Sequence, residues 1–316
     1  MQPEWSIRRY SGEEAALWDR LVVESRQGTL LHLRGYMDYH ADRFQDSSLI
    51  ALCKDKPLAI LPANRVDDRL FSHQGLTYGG WLTQKSHFDG NDMLQLFEAW
   101  LRWCRDNGIR EIFYKTVPRI YHRLPAEEDL YALFRFGATP WITNLSSTID
   151  MREVPPMNTQ QRRHLKRSMA QNPWVRETND VGEFMPTLIG CLAERHGAVP
   201  VHTAAELQML KDRFPDQIRL FVCGTGQQPE AAVCIYDTAG VAHCQYIATT
   251  EAGRANGTLT FLFHHLITEM FASRRYFDFG TSNEDAGRIL NAGLLHQKVG
   301  LGGRGIACQS FHLPLP

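Results

Sequence analysis

The first residues that could move a proton lie on a short polar stretch near position 245. His243 and Gln245 alternate with Cys244 and Tyr246, so on a strand one pair faces the core and the other can face a cleft. His243 could serve as a general base, because the ordinary pKa of histidine lies near neutrality. The alternative is a structural histidine within the sheet. The pattern therefore predicts a catalytic contribution from either His243 or Tyr246.

Two charged residues near the carboxyl end form a second candidate group. Asp278 stands in a short apolar strand and could deprotonate or position an ammonium group if its side chain emerges into a cleft. The alternative is a turn in which Asp278 hydrogen-bonds to Thr281 and Ser282. Lys298 precedes a glycine-rich segment, 300–303, where a close backbone would let the ammonium contact a carbonyl or a phosphate. Otherwise Lys298 is a surface lysine.

A segment between an apolar strand and an apolar helix, 249–258, has the context of an anion-binding loop. Arg254, Asn256, Gly257 and Thr258 would lie at a helix N-terminus, where free N–H groups and the helix dipole favour a phosphate. The alternative is a plain turn in which Gly257 relieves backbone strain.

A basic helix is predicted over about 159–171. Arg163 and Arg167, like Arg162 and Lys166, are four residues apart and share a face. We predict that Arg163 and Lys166 contact a phosphate-rich partner, either a nucleotide-sugar diphosphate or a tRNA acceptor stem, through charge rather than base reading. A solvated helix face is the alternative.

Composition limits the class of protein. The chain has 316 residues, 43% of them hydrophobic, and a net charge of -1, which gives no global sign of DNA or membrane-surface binding. The seven cysteines are scattered singly and predict no metal site. The sequence shows neither a charged leader followed by an apolar stretch nor an apolar window long enough for a membrane span. We therefore expect a cytoplasmic protein.

Hydrophobic periodicity predicts a similar order of elements in both halves of the chain. Each half has meander strands, a glycine-containing loop, an apolar helix, a short strand with polar residues at its end, a helix and a final strand. Pro155 and Pro156 mark the boundary, which predicts domains at 1–154 and 155–316. A single large α+β domain is the alternative. The predicted elements are strands at 5–9, 48–53, 58–65, 69–73, 110–115, 141–149, 217–223, 230–236, 241–248, 276–280 and 305–313, and helices at 12–26, 35–44, 92–107, 159–171, 180–196, 203–214, 258–271 and 285–295.

Three motifs resemble those of the Fem-type and related GNAT-like acyltransferases. The stretch 276–282, YFDFGTS, is similar to the "FDFG-S" strand of these families, and 298–303, KVGLGG, to the lysine- and glycine-rich segment that follows it. The upstream stretch 74–80, QGLTYGG, is similar to a glycine-rich stretch in the first domain. The resemblance implies a mixed α+β fold of two tandem GNAT-like domains, each with a mostly antiparallel mixed sheet flanked by helices.

The resemblance also implies a direct transfer chemistry. An amine would attack an activated acyl donor, without a covalent enzyme intermediate and without a bound cofactor, and the donor would be acyl-CoA, aminoacyl-tRNA or an acyl carrier. Asp278, His243, Tyr246 and Lys298 are then the predicted catalytic residues. In the predicted donor loop, Leu259 stands where GNAT loops have a small residue. The predicted substrate contacts are His73, Tyr78, Lys115, Tyr121, His122, Arg163, Lys166 and Ser282.

We therefore expect an N-acyltransferase that acts on an amino sugar or another cell-envelope or polysaccharide precursor, presented as a small molecule, a nucleotide sugar or a lipid-linked acceptor. One alternative is Fem-type, tRNA-dependent aminoacyl transfer, although the sequence lacks the charged heptads of the long helical arm found in several Fem branches. The other is a catalytically silent GNAT-like binding module. A nucleophilic hydrolase is disfavoured because no Gly-x-Ser-x-Gly elbow occurs.

Overall fold

Alternating apolar side chains and tight turns build the amino-terminal half of the protein. The computed structural model describes residues 5–85, 88–196 and 199–316, and the side chains of all of these except 195 and 196. Its chain divides into two compact units: residues 1–144, 285–288 and 307–316 form the first, and residues 145–284 and 289–306 the second. The predicted division at 154/155 lies ten residues later and, as a division of function, stays a prediction.

The helices and strands before residue 139 belong to the first unit. In chain order they are β1 (Trp5–Arg9), α1 (Ala15–Glu24), α2 (Arg34–Met37), β2 (Leu49–Cys53), β3 (Lys56–Leu61), β4 (Asn64–Val66), β5 (Arg69–Phe71), β6 (Leu82–Thr83), α3 (Gly90–Asp106), β7 (Glu111–Lys115) and α4 (Glu128–Arg135). Short 3-10 turns occupy Gly12–Glu14, Leu30–His32, Asp38–His40 and Arg119–Tyr121.

The remaining elements complete the chain. They are β8 (Thr139–Asp150), α5 (Thr159–Met169), β9 (Trp174–Thr178), α6 (Val181–His196), α7 (Ala204–Arg213), β10 (Ile218–Gly224), β11 (Ala231–Asp237), β12 (Val241–Thr249), α8 (Glu251–Asn256), α9 (Thr258–His265), β13 (Tyr276–Thr281), β14 (Asn283–Glu284), β15 (Ile289–Leu290), α10 (Ala292–Gly300) and β16 (Arg304–Pro314). A π-helical turn, Leu266–Met270, extends α9.

The first unit contains an antiparallel sheet in the order β1-β2-β3-β6 and a second group in the order β4-β5-β7-β16. In the second group β5 is parallel to β7, and residues 310–314 of β16 are antiparallel to β7. The β2–β3 hairpin turns through Lys54 and Asp55, whose φ values of 50° and 63° are those of a tight hairpin turn. The apolar face of α3 packs into this unit's core with Trp81 and Tyr114.

In the second unit, the strands follow the order β8-β13-β12-β11-β10-β9. Neighbours are antiparallel except for β12 and β13, which are parallel. The core between this sheet and α9 contains Phe263, Phe271, Phe277 and Phe279. Aromatic residues of α9 and β13 thus fix the position of the polar residues between them, because their edge-to-face contacts leave few alternative packings.

Four predicted elements differ from the structure. The strand expected at 58–65 is divided between the end of β3 and the start of β4, which belong to different sheets. The helix expected at 35–44 is α2 followed by a 3-10 turn, and the helix expected at 285–295 is instead a hairpin, β14–β15, followed by α10. Asp285, Ala286 and Gly287 all have positive φ values, 47°, 50° and 89°, which are incompatible with a right-handed helix. The loop expected at 249–258 contains α8. The predicted mixed α+β class is confirmed.

Candidate active site

The site is built where two parallel strands of the second unit part. β12 and β13 pair over three residues, which bring His243 opposite Asp278. Beyond that point β12 continues to Thr249 along β11, while β13 continues to Thr281 along β8. Among the described residues, His243 and Asp278 are therefore the last pair before the two strands diverge.

His243 and Asp278 form a direct hydrogen bond there. Nδ1 of His243 lies 2.8 Å from Oδ2 of Asp278. The other carboxylate oxygen accepts hydrogen bonds from the hydroxyls of Ser146 and Thr148 on β8, at 2.5 and 2.8 Å, and from the N–H of Gly280 at 3.3 Å. Asp278 thus acts as an acceptor toward four groups, and its oxygens point in fixed directions.

These contacts keep the buried carboxylate ionised. Burial by itself raises the pKa of Asp278, but the hydrogen bond and charge of His243, together with the two hydroxyls, outweigh it and lower the pKa to about 2. An ionised acceptor at Nδ1 fixes the ring orientation and leaves Nε2 as the nitrogen that can take up a proton. This geometry is compatible with proton transfer by His243 and positioning by Asp278, and the catalytic roles of both residues stay predictions.

A β-bulge follows His243. Cys234 of β11 pairs with Tyr246, whereas the next residue, Ile235, pairs with Cys244, so Gln245 is an extra residue in β12. Cys244 and Ile247 both contact the core, and the alternation of faces is therefore broken. The expectation that Cys244 and Tyr246 share a face is wrong for this reason. The hydroxyl of Tyr246 instead lies 2.6 Å from Nδ1 of His202.

Lys298 is buried beneath the end of β13. Its ammonium donates hydrogen bonds to the carbonyls of Gly280 and Thr281, at 2.9 and 2.7 Å. Burial lowers the pKa of Lys298 to about 8. The side chain therefore fixes the backbone directly after Asp278. Ser282, next along the chain, is buried, and its N–H donates to the carbonyl of Leu145.

A cavity of 260 Å³ lies between the starts of α8 and α9, helix α5 and helix α10. Apart from Leu259, its lining residues are polar or glycine, and none is acidic: Gln160, Gln161, His164, Thr249, Gly253, Arg254, Gly257, Leu259, Thr260, Gly293, His296 and Gln297. The first N–H groups of α9 have no acceptor within the helix, as at any helix start. The cavity is therefore suited to an anionic group.

Of the four predicted donor-loop residues, two line the cavity and two have side chains that hold the loop. Arg254 and Gly257 line the cavity, and Arg254 also donates to the carbonyl of Thr249 at 3.1 Å. The amide of Asn256 is instead hydrogen-bonded to Glu230, and the hydroxyl of Thr258 to the carbonyl of Gly253. These last two side chains stabilise the loop from within.

Helix α5 forms one wall of the cavity. Gln161 is buried and accepts a hydrogen bond from Thr260 of α9, and His164 lies against Gly257. Arg163 and Lys166 are exposed on the same helix, and Arg167 donates to the carbonyl of Ala255. Helix α5 thus supplies both a wall of the cavity and exposed basic side chains, and a role of Arg163 and Lys166 in binding stays a prediction.

The predicted acceptor residues of the first unit fall into two groups. Lys115 donates to the carbonyls of His73, at 3.2 Å, and Leu76, at 2.6 Å, and so fixes the loop after β5. The rings of Tyr78 and Tyr121 lie 4.5 Å apart.

The remaining predicted residue, His122, has a local role. Its Nε2 lies 2.8 Å from the carbonyl of Val117. In the first unit the structure thus brings together His73 with Lys115 and Tyr78 with Tyr121, while His122 stays within its own turn. A role of any of these residues in acceptor binding stays a prediction.

Sequence reasoning missed Ser146, Thr148, Gln161, His164 and His296. A signal existed for the first two, because hydroxyls at alternate positions of a strand share one face and can converge on a buried acid. The cavity residues gave no comparable signal, since two helices that are distant in sequence, α5 and α10, contribute them.

Among residues 5–85, 88–196 and 199–316, no group of three or more histidines, cysteines or acidic residues could hold a metal ion. Within the same ranges, no helix combines the length and apolarity needed to cross a membrane.

Comparison with known families agrees with this geometry. Residues 158–286 match the family model of the acetyltransferase (GNAT) domain, and this range contains β12, β13 and the residues between them. The match identifies an acetyltransferase (GNAT) domain in residues 158–286 and supports an acyltransferase as the class of protein. The two-domain, Fem-like arrangement predicted from the sequence is confirmed at the level of fold.

Three solved structures illustrate the fold similarity. The chain is similar to FemX, with a TM-score of 0.68 and 9% identity over 98% of this chain and 97% of that one. L-PGS from Bacillus licheniformis gives a TM-score of 0.61 and 11% identity over 96% and 91%. A tandem GNAT protein from the clavulanic acid biosynthesis pathway gives 0.53 and 11% over 100% and 99%. No curated protein matches the chain.

Proposed function

We propose that the protein transfers an acyl group from a pantetheine thioester to the amine of an amino sugar or another cell-envelope precursor, in the cytoplasm. The observation that carries this proposal is the His243–Asp278 pair at the divergence of β12 and β13. The resemblance to the Fem-type families supports the class of acceptor, and the anion-suited cavity beside α9 supports a donor that carries a phosphate.

The proposed reaction follows from the geometry of the pair. Nε2 of His243 removes a proton from the acceptor ammonium, and the neutral amine nitrogen attacks the thioester carbonyl. Backbone N–H groups near the bulge at Gln245 stabilise the resulting oxyanion. The C–S bond then breaks and the thiolate receives the proton that His243 holds. The nitrogen loses its second proton to the neutral His243, which passes it to solvent, as the amide forms. Asp278 stays ionised throughout and stabilises the transient imidazolium.

Purified protein with acetyl-CoA and a panel of amino sugars tests the proposal through release of free thiol. We expect His243→Gln to lower kcat by about 10²- to 10⁴-fold, the usual contribution of a general base. Asp278→Asn should lower kcat with little change in KM, because Asp278 does not contact the substrate. Arg254→Ala should weaken acetyl-CoA binding, measured as a smaller melting-temperature shift.

The matched control is Gln208→Ala, a substitution on the exposed face of α7 that leaves the site intact. Wild-type turnover that survives His243→Gln would exclude His243 as the base. Absence of thiol release and of thermal stabilisation with any thioester donor would refute the proposed function.

A second candidate is Fem-type transfer from aminoacyl-tRNA. The exposed Arg163 and Lys166 of α5 favour it, because they could contact phosphates of an acceptor stem. The long helical arm of several Fem branches has no counterpart in the described part of the chain, where the longest helix is α3, with 17 residues. Transfer from aminoacyl-tRNA, with no transfer from any thioester, would establish this second function.

A further inference from the structure

Gln161 of α5 is a buried polar side chain on the wall of the cavity in the second unit. It is 4% exposed and belongs to the residues that line the cavity. Its backbone N–H donates to the side chain of Asn158, which caps α5, at 2.8 Å. A Cβ added to Gly300 of α10 would lie 3.2 Å from Cγ of Gln161, so α10 packs closely against this side chain. The cap and this packing fix where the side chain of Gln161 starts.

The two ends of the Gln161 carboxamide have different surroundings. Oε1 accepts a hydrogen bond from the hydroxyl of Thr260, at 2.7 Å, and Thr260 is itself only 6% exposed. Nε2, which carries two N–H donors, has no hydrogen-bond partner among residues 5–85, 88–196 and 199–316. Because the bond to Thr260 holds the oxygen and the side chain lines the cavity, the nitrogen is the end that a ligand in the cavity meets.

The contact with Thr260 places this amide at the first turn of α9. That helix has eight residues and begins at Thr258. The N–H groups of its first turn have no acceptor within the helix, and the helix dipole there favours an anion. Arg254 lines the same cavity, and no lining residue is acidic. Donors from α5, from the start of α9 and from Arg254 therefore line one cavity, and they suit a ligand that is rich in acceptor oxygens.

We propose that Gln161 is a specificity-determining residue whose carboxamide, oriented by Thr260, donates to a phosphate oxygen of the thioester donor. α5 lies outside the segment 249–258 that the sequence indicates as an anion-binding loop, so a second element of the unit takes part in binding the phosphate. Thr260 is a positioning residue, because its hydroxyl holds Oε1 and so directs Nε2 to the cavity. This inference rests on the proposed function and names the residue that selects a phosphorylated donor.

A carbonyl oxygen of the pantetheine arm is the other acceptor that such a donor carries. The phosphate fits the cavity better, because hydrogen bonds to an ionised acceptor are roughly twice as strong as neutral ones and a guanidinium lines the same space. Glu194 lies 3.6 Å from Arg254 but does not line the cavity. The ligand thus meets the cation without meeting a carboxylate on the cavity wall.

The test compares acetyl-CoA with S-acetylpantetheine, which has the same acyl group and arm but no phosphate. Titration calorimetry gives the Kd of acetyl-CoA, and displacement of acetyl-CoA gives that of the weaker probe. Gln161→Met keeps the length of the side chain but removes both N–H donors. We expect the Kd of acetyl-CoA to rise about ten- to hundredfold, the range for a hydrogen bond to a charged group, and the Kd of S-acetylpantetheine to stay at the wild-type value.

A double-mutant cycle tests the role of Thr260. Thr260→Val keeps the shape of the side chain, deletes the hydrogen bond to Gln161, and should raise the Kd of acetyl-CoA about two- to tenfold. In Gln161→Met/Thr260→Val the Kd should equal that of Gln161→Met alone, because Thr260 acts through Gln161. Independent effects that multiply in the double variant would show that Thr260 does not act through the carboxamide.

Ser168→Ala is the matched control on the same helix. Ser168 is buried, its hydroxyl has no hydrogen-bond partner in the described part of the chain, and it does not line the cavity. This variant should keep the wild-type Kd for both probes. If Gln161→Met does not fold, Gln161→Glu serves instead, since it keeps the size of the side chain and an acceptor for Thr260 while placing a carboxylate beside the phosphate.

The possible outcomes separate the inference from the proposed function. An unchanged Kd of acetyl-CoA in a folded Gln161 variant would overturn the inference. An equal loss for S-acetylpantetheine would also overturn it, because the carboxamide would then bind the arm rather than the phosphate. A wild-type protein that binds neither probe refutes the thioester donor of the proposed function, and the inference fails with it.

Discussion

At the scale of single residues, the decisive feature is that both carboxylate oxygens of Asp278 accept hydrogen bonds. A buried carboxylate with one partner would be costly, whereas Asp278 accepts from an imidazole, two hydroxyls and a backbone N–H. Those donors make the ionised form the stable one. A group held in this way is a poor proton acceptor and a good orienting group, which is why we assign it to positioning His243.

Removing one hydroxyl should test this assignment. Thr148→Val keeps the shape of the side chain but deletes a 2.8 Å hydrogen bond to Asp278. We expect kcat to fall about ten- to hundredfold, in line with the ~1.5–3 kcal/mol usual for a hydrogen bond to a charged group, while KM for both substrates stays constant. Steady-state kinetics with purified acetyl-CoA would measure both constants.

The neighbouring residue offers a matched control. Ser147 is buried on the other face of β8, and its hydroxyl has no hydrogen-bond partner in the described part of the chain. Ser147→Ala should leave kcat at the wild-type level. If it lowered kcat as much as Thr148→Val, general damage to β8 rather than the hydrogen bond would explain both effects.

At the scale of elements, Gly257 joins α8 to α9 at the wall of the cavity. Its φ of 77° lies in the left-handed region, and an added Cβ would lie 2.5 Å from the carbonyl oxygen of His164. Gly257→Ala should therefore destabilise the protein by more than the ~1–2 kcal/mol that the left-handed conformation costs, because backbone of α5 must also move. The free energy of unfolding from urea titration measures the effect.

A second glycine provides the opposite expectation. Gly190 lies in α6, is exposed, and would meet no atom within 4 Å if a Cβ were added. Gly190→Ala should stabilise the protein by up to ~1 kcal/mol through helix propensity. Equal stability of the Gly257→Ala variant and the wild type would show that α5 does not constrain the loop.

The elements also show what sequence patterns can and cannot predict. Long periodic segments such as α3 and β2 were predicted close to their observed bounds, because caps and apolar spacing agree there. The strand predicted at 58–65 is instead divided between β3 and β4, which belong to different sheets. The helix predicted over 285–295 was wrong, since its pattern contains no sign of the three left-handed residues at 285–287. Such a turn is fixed by tertiary packing rather than by local propensity.

The site was predictable in part for a related reason. His243, Asp278 and Lys298 were proposed from residue type and motif, and the structure places them around one short stretch of β13. The sequence could not predict that Asp278 orients His243, because this depends on the parallel register of strands 35 residues apart. The bulge at Gln245 likewise arises from pairing with β11 and has no local signature.

At the scale of the whole molecule, the buried histidines of the first unit make its stability depend on pH. Burial lowers the pKa of His32 and of His73 to about 3, and both residues belong to the first unit. The folded state therefore resists proton uptake that the unfolded chain accepts near pH 6.5. The stability contributed by the neutral imidazoles is complete above about pH 6.5 and is lost as the pH falls toward 3.

Asp129, in the same unit, changes the stability in the opposite direction as the pH falls. Burial raises its pKa to about 7, so its protonation in the folded state stabilises the first unit progressively as the pH falls from about 7 toward 4. Substituting one histidine isolates the histidine contribution, because the Asp129 contribution is then common to both proteins.

We therefore expect His73→Asn to reduce the acid sensitivity of the first unit. Asparagine tolerates the positive φ of 64° at this position and does not titrate. Between pH 6 and pH 4 the unfolding free energy of the wild type should fall more steeply than that of the variant, by roughly 1.4 kcal/mol per pH unit for one histidine.

Urea titrations at several pH values, followed by tryptophan fluorescence, report on this unit because six of the seven tryptophans lie in it: Trp5, Trp18, Trp81, Trp100, Trp103 and Trp141. The exposed His296→Asn on α10 is the control and should keep the wild-type slope. Parallel pH profiles for wild type and His73→Asn would mean that the His73 ring already takes up its proton in the folded protein.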